Sequence, residues 1–418
     1  MDAHSAPEYF TSRTAMPAAA LARLEECAFQ FGTSYDSYLV TEGDREYFFS
    51  RGRRGVVGFQ RFGRNLQIVG GLLAAPEDRE QLLDEVLEFA RSRRWRLTFF
   101  SLSRSDFPTF RSRGFQISKI GEEPIVVLDE TEWRGGAYEW LRRQEKTCLK
   151  SGLTFREIDP AADRDDYERR IAPELEAVSR EHLAETLHHR EMKFFVGQFD
   201  PLALGRRRLF IVERPGTPGK EPGRIEGVIV LNPCLNGSLW AIEVFRKRRD
   251  AARGVIPFAM LQALRQLQAE GVPYVSLSLI PWLRGALWMK GGSRAMTITC
   301  FLMWHFGNAL YDVRGMYHFK SRFRPHWREM YVAGLPSFGW SSILAIAMSW
   351  GLFPVNPLRL LAHWWRDLRD PARKSLAVPS FRPEPVFRNL RVDKLHCATP
   401  KKITPSTAGT MTRARTEG

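Results

Sequence analysis

The fold is decided by the stretch LWAIEVFRKRRDAARGVIPFAMLQALRQLQAEGVPYVSLSL, which runs from residue 239 to residue 279. Its apolar start, residues 239–245, is typical of a buried strand, and the basic turn after it ends at Gly254. Apolar residues at helical spacing then predict a helix over residues 255–270, and YVSLSL at residues 274–279 predicts a second strand. The stretch therefore predicts a strand–turn–helix–strand unit.

The same pattern occurs once more, nearer the N-terminus. An apolar run over residues 66–69 meets Gly70 and Gly71, and a helical pattern then covers residues 76–92. A second strand is predicted over residues 97–102. The chain therefore contains a weak internal repeat of pattern rather than of identity.

Strands that alternate with single helices indicate an α/β fold with a mixed central sheet in each of two modules. We expect the boundary between the modules near residues 150–160. The expected organisation is a first module over residues 1–155 and a second, catalytic module over residues 156–332.

Composition indicates an anionic partner and a reducing compartment. The 418 residues carry a formal net charge of +15, and both nucleic acid and anionic lipid headgroups attract such a chain. Five scattered cysteines without CxxC spacing argue against a disulfide framework or a zinc ribbon. Residues 1–16 lack the basic and apolar regions of a secretory signal, so we expect a cytoplasmic protein.

The chain changes character after the second module. Residues 338–353, FGWSSILAIAMSWGLF, are apolar but too short to span a membrane. Because tryptophans and arginines follow them, residues 333–375 are predicted to associate with a membrane surface. The alternative is a helical hairpin packed on the core. Residues 376–418 lose all periodicity and are predicted to form a basic, disordered tail.

The most specific motif is FGNALYDVRGMYHFKSRFRPHWREMY, residues 306–331. It resembles the terminal signature of the phosphatidylglycerol lysyltransferase C-terminal domain family. The matching positions are Gly307, Asn308, Tyr311, Gly315, Phe319, Lys320, Phe323, Pro325, Trp327 and Tyr331. Upstream, the GEE segment at residues 121–123, a basic helix over residues 142–152 and an FxxGxF element at residues 194–199 follow the family's order. The resemblance covers residues 35–332.

The resemblance implies two tandem N-acetyltransferase-like (GNAT) modules, in agreement with the repeat. It also implies transfer of an amino acid, lysine or similar, from a charged tRNA to the hydroxyl of phosphatidylglycerol or a related lipid. Aminoacyl-tRNA and an anionic phospholipid surface are then the expected partners, no cofactor is needed, and the expected location is the inner face of the cell membrane. We expect no membrane-spanning flippase region of the kind that many members carry.

Two residues stand out for the chemistry of such a transfer. Glu243 and Arg246 are predicted at the carboxyl end of a strand, the edge at which open α/β sheets bind ligands. By resemblance, Glu243 holds the ammonium group of the amino acid and Arg246 orients the reacting ester. Glu243 stands where the family usually has Asp. The alternative is that the two residues form a surface salt bridge, which contributes little to the stability of the fold.

The basic turn over residues 246–254 precedes a helix, and its backbone amides are predicted to bind a phosphate, with Arg253 and Gly254 as binding residues. The residues after Gly254 are Val255 and Ile256, whereas an acetyl-CoA loop would have a second glycine there. This difference weakens a CoA-binding interpretation.

A second basic run lies within the family signature. On a predicted strand, Lys320, Arg322 and Arg324 would share one face and form a cationic wall for tRNA phosphates or a lipid headgroup. The resemblance makes Lys320 essential and adds Asn308 to the substrate-binding residues. The alternative is a solvated basic face.

The sequence does not support a metal site or a serine nucleophile. His188 and His189 are adjacent and would point apart on a helix, without a third ligand at useful spacing, so no metal site is predicted. Ser276 and Ser278 lack a GxSxG turn and are predicted to be strand positions.

Two other functions remain open on the sequence. One is an acyl-CoA-dependent N-acyltransferase, since tandem GNAT modules also serve that reaction. The other is a membrane or nucleic-acid binding module with a decayed active site, although the presence of both Glu243 and Lys320 argues against decay. The amino acid, the lipid acceptor and the oligomeric state also stay open.

Overall fold

A computed structural model describes residues 6–188, 191–216, 223–286, 289–353 and 357–369. The strands are β1 (Glu8–Phe10), β2 (Glu46–Phe49), β3 (Gly55–Phe62), β4 (Asn65–Ala74), β5 (Arg96–Leu102), β6 (Gln116–Val127), β7 (Thr154–Ile158), β8 (Arg208–Arg214), β9 (Arg224–Cys234), β10 (Leu239–Lys247), β11 (Tyr274–Ser276), β12 (Ile280–Pro281) and β13 (His326–Leu335). The helices are α1 (Ala18–Phe31), α2 (Arg79–Ser92), α3 (Phe107–Ser112), α4 (Glu139–Lys150), α5 (Arg164–Asp166), α6 (Ala172–Glu185), α7 (Val255–Ala269), α8 (Arg294–Phe306), α9 (Val313–Ser321), α10 (Trp340–Trp350) and α11 (Pro357–Arg369).

The strands form one continuous mixed sheet. Its order is β1-β2-β3-β4-β5-β13-β6-β11-β10-β9-β8-β7, and β12 pairs with β6. Both predicted repeat units are present, because β4 pairs with β5 and β10 pairs with β11 in parallel, with α2 and α7 as the crossovers. The predicted α/β class with a mixed sheet is confirmed.

Each crossover helix packs one apolar face on the sheet. Helix α2 buries Leu82, Leu83, Val86, Leu87 and Ala90, which recur at helical spacing. Burial of each large side chain among them contributes about 1.5–3 kcal/mol relative to exposure. Helix α7 is more deeply buried, and its first turn begins at Gly254, whose φ of 91° favours glycine.

Strand β13 joins the two halves of the molecule. It comes from the end of the second predicted module, yet it lies between β5 and β6 and pairs antiparallel with both. Its residue Ala333 is opposite Phe99 on one side and Ile117 on the other. The sheet of the first predicted module is therefore completed by a strand from the end of the second one. The division at residues 155 and 332 stays a prediction.

Helix α10 packs on strands β3 and β4 and against α8. It buries Ser342, Ala345 and Trp350, while Trp340 and Leu344 are exposed. Among the described residues, no helix has the length and apolar character that a membrane span requires. The predicted tail, residues 376–418, lies outside the described residues.

Candidate active site

A cavity of about 430 Å³ lies beside the carboxyl end of β10. The segment that precedes Phe199, helix α9 and the apolar helices α8 and α10 complete its walls. Glu243, Arg246 and Lys320 all line it. The structure thus brings together the three residues that the sequence predicted as catalytic, although β10 and α9 are far apart in the chain.

Glu243 is a buried carboxyl group whose charged form is held by two donors. The Gly197 N–H donates to its Oε1 at 2.9 Å, and the Ser278 hydroxyl donates to its Oε2 at 2.8 Å. Burial raises the pKa of Glu243 to about 7, against the opposite effects of these two hydrogen bonds and of Lys320. The group therefore changes charge near neutral pH.

Lys320 is buried close to Glu243 and is linked to it through one residue. Its Nζ donates to the Ser278 carbonyl at 2.9 Å, and the hydroxyl of the same serine reaches Glu243. Burial lowers the pKa of Lys320 to about 8, although the carboxylates of Glu243 and Glu123 favour its charged form. A cation and a carboxylate thus face one cavity with pKa values shifted towards each other.

Arg246 is buried in the same wall and is oriented by three neighbours. Its Nη2 donates to Glu191 Oε1 at 2.6 Å, and its Nη1 donates to the Ser179 hydroxyl. The guanidinium also lies over the ring of Phe199, 5.2 Å from the centroid. Because its position is fixed before any ligand binds, Arg246 is a preorganised cation.

Much of the remaining lining of the cavity is apolar and aromatic. Trp282, Tyr311 and Trp350 contact one another with ring centroids 5.2–5.6 Å apart. Further apolar lining comes from Met296, Met303, Ile343, Ile346, Leu352 and Phe353. The cavity therefore combines three ionisable side chains with an extensive apolar lining.

The other predicted binding residues lie elsewhere. Arg253 is exposed and Gly254 is the N-cap of α7, and neither lines the cavity. In the same turn, Arg248 is already engaged, since it donates to Glu181 at 2.6 Å. Asn308 accepts a hydrogen bond from the Arg314 N–H at 3.2 Å, outside the cavity. A phosphate site at this turn stays a prediction.

The prediction of a strand that carries Lys320, Arg322 and Arg324 on one face is wrong. Lys320 lies in helix α9, and the next strand, β13, begins only at His326. On a helix, alternate residues point in different directions. Arg322 lies over the Trp140 ring and Arg324 is exposed, so Lys320 alone reaches the cavity.

Sequence reasoning also missed cavity residues. Ser278 is not a strand residue, because β11 ends at Ser276 and Ser278 has a φ of 64°, whereas Ser276 is a strand position as predicted. Glu191 and Tyr311 were not singled out as cavity residues. Tyr311 belongs to the family signature, which was the available signal for it, whereas Glu191 carried none.

Within the described ranges, no group of three or more His, Cys, Asp or Glu residues is placed to hold a metal ion. His189 of the histidine pair lies outside those ranges.

Known proteins resemble this chain over most of its length. The family model for the C-terminal region of phosphatidylglycerol lysyltransferase matches residues 29–334. The phosphatidylglycerol lysyltransferase of Bacillus subtilis is 22% identical over 298 residues, which are 71% of this chain and 33% of the relative. That of Staphylococcus epidermidis is 22% identical over 319 residues, 76% of this chain and 36% of the relative. The chain spans about a third of the length of these relatives.

Solved structures show the same fold. The C-terminal domain of a putative lysylphosphatidylglycerol synthetase from Agrobacterium fabrum has a TM-score of 0.66 and 24% identity, over 81% of this chain and 99% of that domain. The L-PGS structure from Bacillus licheniformis has a TM-score of 0.64 and 22% identity, over 80% of this chain and 97% of that one. From the match over residues 29–334, the chain belongs to the phosphatidylglycerol lysyltransferase C-terminal domain family.

Proposed function

We propose that this chain is an aminoacyltransferase that moves an amino acid, lysine or similar, from a charged tRNA to the hydroxyl of phosphatidylglycerol. One observation carries the proposal: Glu243, Arg246 and Lys320 line one cavity whose remaining lining is largely apolar. Membership of the family supports the same reaction. A volume of about 430 Å³ suits an aminoacyl group and a lipid headgroup rather than a whole phospholipid.

The reaction needs no covalent intermediate on the protein. The lipid hydroxyl oxygen attacks the carbonyl carbon of the aminoacyl ester, the new ester bond forms, and the bond to the ribose oxygen breaks. The proton of the lipid hydroxyl ends on the ribose oxygen that leaves. The protein therefore contributes position and electrostatic stabilisation.

The ionised side chains divide these tasks by charge. The Glu243 carboxylate binds the ammonium group of the amino acid, because a buried carboxylate with two fixed donors keeps oxygen lone pairs for a cation. The Lys320 ammonium stabilises the oxyanion that develops on the ester carbonyl. Arg246, held by Glu191, orients the ester or the lipid phosphate.

The remaining surface suits the two large substrates. The net charge of +15 favours the phosphate backbone of tRNA and an anionic lipid surface. On this proposal the apolar lining of the cavity, with Trp282 and Trp350, contacts the glycerol and the first methylenes of the lipid. On this proposal the protein works at the inner face of the cell membrane.

The test supplies each donor class to the purified protein. Radiolabelled lysyl-, alanyl- and arginyl-tRNA are incubated with phosphatidylglycerol vesicles, and the label that enters the chloroform phase is counted. We expect transfer from one of these donors, no transfer from the free amino acid, and no inhibition by acetyl-CoA. Acylation of an amine by acetyl-CoA, without any tRNA-dependent label in lipid, would instead identify an N-acyltransferase.

A further inference from the structure

Helices α8 and α10 present a large apolar surface on the outside of the molecule. Its exposed large apolar residues are Ile298, Phe301, Leu302 and Phe306 on α8, and Trp340, Leu344 and Met348 on α10. The two helices are neighbours, since the Ser293 hydroxyl at the start of α8 donates to the Phe338 carbonyl before α10 at 2.6 Å. Helix α11, which packs near the end of α8, exposes Leu358, Leu361, Trp364 and Trp365. We call this surface the apolar face.

Helices α8 and α10 each carry apolar residues on an inner side and on an outer side. The inner side of α8 lines the cavity with Met296 and Met303, and the inner side of α10 lines it with Ile343 and Ile346. A helix that is apolar all round normally lies within a core or a membrane. Within the described part of the chain only the inner sides are covered, so a second apolar environment would stabilise the outer sides.

The charged residues in the two segments that contain α8 and α10 are all basic. No acidic residue occurs between Glu270 and Asp312, or between Glu329 and Asp367, and these two segments contain α8 and α10. The cations Lys290 and Arg294 are exposed at the start of α8, and Arg96 donates to the Ser341 hydroxyl at the start of α10 at 3.1 Å. Apolar helices such as α8 and α10, flanked by basic residues and without acidic ones, match the interface of an anionic bilayer.

We propose that the apolar face inserts into the headgroup region of an anionic membrane, with α8 and α10 as the wall between bilayer and cavity. Acyl chains can then stay in the bilayer while the headgroup enters between the two helices and reaches Lys320. Docking on the membrane does not depend on the reaction, whereas this route of lipid entry rests on the proposed transferase function. A second copy of the chain is a poorer occupant, because symmetric pairing would bring the two basic margins together.

The test measures binding to vesicles. The protein is sedimented with phosphatidylcholine vesicles that contain either no phosphatidylglycerol or 30% of it. The triple variant Ile298→Gln, Leu302→Gln, Leu344→Gln removes apolar groups that do not line the cavity. The control, Leu149→Gln with Leu202→Gln, removes two exposed leucines elsewhere on the surface. Unfolding temperatures of all forms show that the fold is kept.

We expect the wild type and the control to bind the anionic vesicles, and the triple variant to lose at least about tenfold in partition coefficient. Equal binding of the triple variant and the wild type would overturn the proposal. A wild type that does not bind anionic vesicles would also overturn it. A wild-type dimer that becomes a monomer in the triple variant would assign the face to a second copy instead.

A transfer assay separates this proposal from the enzymatic one. If both hold, the triple variant transfers normally to phosphatidylglycerol dispersed in detergent but loses transfer to vesicles. If the transferase function fails, no form makes product in either medium, while the difference in vesicle binding persists. Equal transfer to vesicles by the triple variant and the wild type would overturn the entry route between α8 and α10.

Discussion

The charge of Glu243 depends on a balance between burial and two hydrogen bonds. Burial favours the neutral acid, and the Gly197 N–H and the Ser278 hydroxyl favour the carboxylate. The resulting pKa, about 7, leaves the group able to bind an ammonium ion at neutral pH. The burial of Lys320 acts in the opposite sense on a cation, with a pKa of about 8.

A substitution of Glu243 tests its role in holding the amino acid. Glu243→Gln keeps the shape but removes the charge, and we expect a loss of about 100-fold or more in kcat/KM. Glu243→Asp, the residue that the family usually has there, keeps the charge and should stay within about tenfold of the wild type. Label transferred from aminoacyl-tRNA to lipid is the measurement. Equal activity of Glu243→Gln and the wild type would remove Glu243 from the mechanism.

The pH profile of kcat/KM tests both shifted groups. Below pH 7 Glu243 is protonated and cannot hold the ammonium group, and above pH 8 Lys320 loses the charge that stabilises the oxyanion. We therefore expect a narrow, bell-shaped pH profile of kcat/KM, with an acid limb near pH 7 and an alkaline limb near pH 8. Ser278→Ala removes a hydrogen bond that lowers the pKa of Glu243, so its acid limb should move to higher pH. An unmoved acid limb would assign that limb to another group.

Some of these residues were accessible from sequence and others were not. Glu243, Arg246 and Lys320 were identified because they match positions of a family pattern. Ser278 was not, because its role depends on a positive φ beyond the end of β11, which no local periodicity reveals. Glu191 meets Arg246 only through tertiary packing.

At the scale of elements, the segment around Gly197 determines where the Glu243 carboxylate can lie. A β-carbon on Gly197 would come within 2.7 Å of Glu243 Cγ. We expect Gly197→Ala to displace that side chain and to lower kcat/KM by about tenfold or more, with a fall of a few degrees in unfolding temperature. Gly43→Ala is the control, since a β-carbon there meets nothing within 4 Å. Full activity of Gly197→Ala would show that the close contact has no consequence.

The prediction of helices and strands was correct where one apolar period, helical or strand-like, dominates the sequence. The two crossover helices and their flanking strands show strong apolar periodicity and lie where predicted, except that β11 ends at Ser276 and not at residue 279. The run after Val313 alternates basic and aromatic residues, which suggests a strand, but it folds as α9. A signal for the helix was present, because the Asp312 side chain accepts from the Gly315 N–H at 3.0 Å as an N-cap.

At the scale of the whole molecule, β13 makes the predicted modules interdependent. A fragment of residues 1–155 lacks this strand, so β5 and β6 lose the neighbour that each pairs with. We expect the fragment to show no cooperative unfolding transition by circular dichroism, whereas the full chain shows one. A fragment that unfolds cooperatively would support two independent modules divided near residue 155.

The position of β13 in the sheet could not be predicted from the sequence. Its strand pattern is readable, but the choice of partners depends on contacts across more than 200 residues, such as Ala333 with Phe99. Local periodicity contains no information on that pairing. The continuity of the sheet is therefore a property of the folded molecule, and so is the cavity that Glu243 and Lys320 share.

The most direct test of the account is the lipid content of a host that lacks aminoacylated lipids. The host expresses the full chain or its Glu243→Gln variant, and the extracted lipids are examined by mass spectrometry. We expect a new ninhydrin-positive phosphatidylglycerol ester with the wild-type chain, and a large decrease in it with the variant at equal expression. A well-expressed wild-type chain that leaves every lipid unchanged would contradict the account.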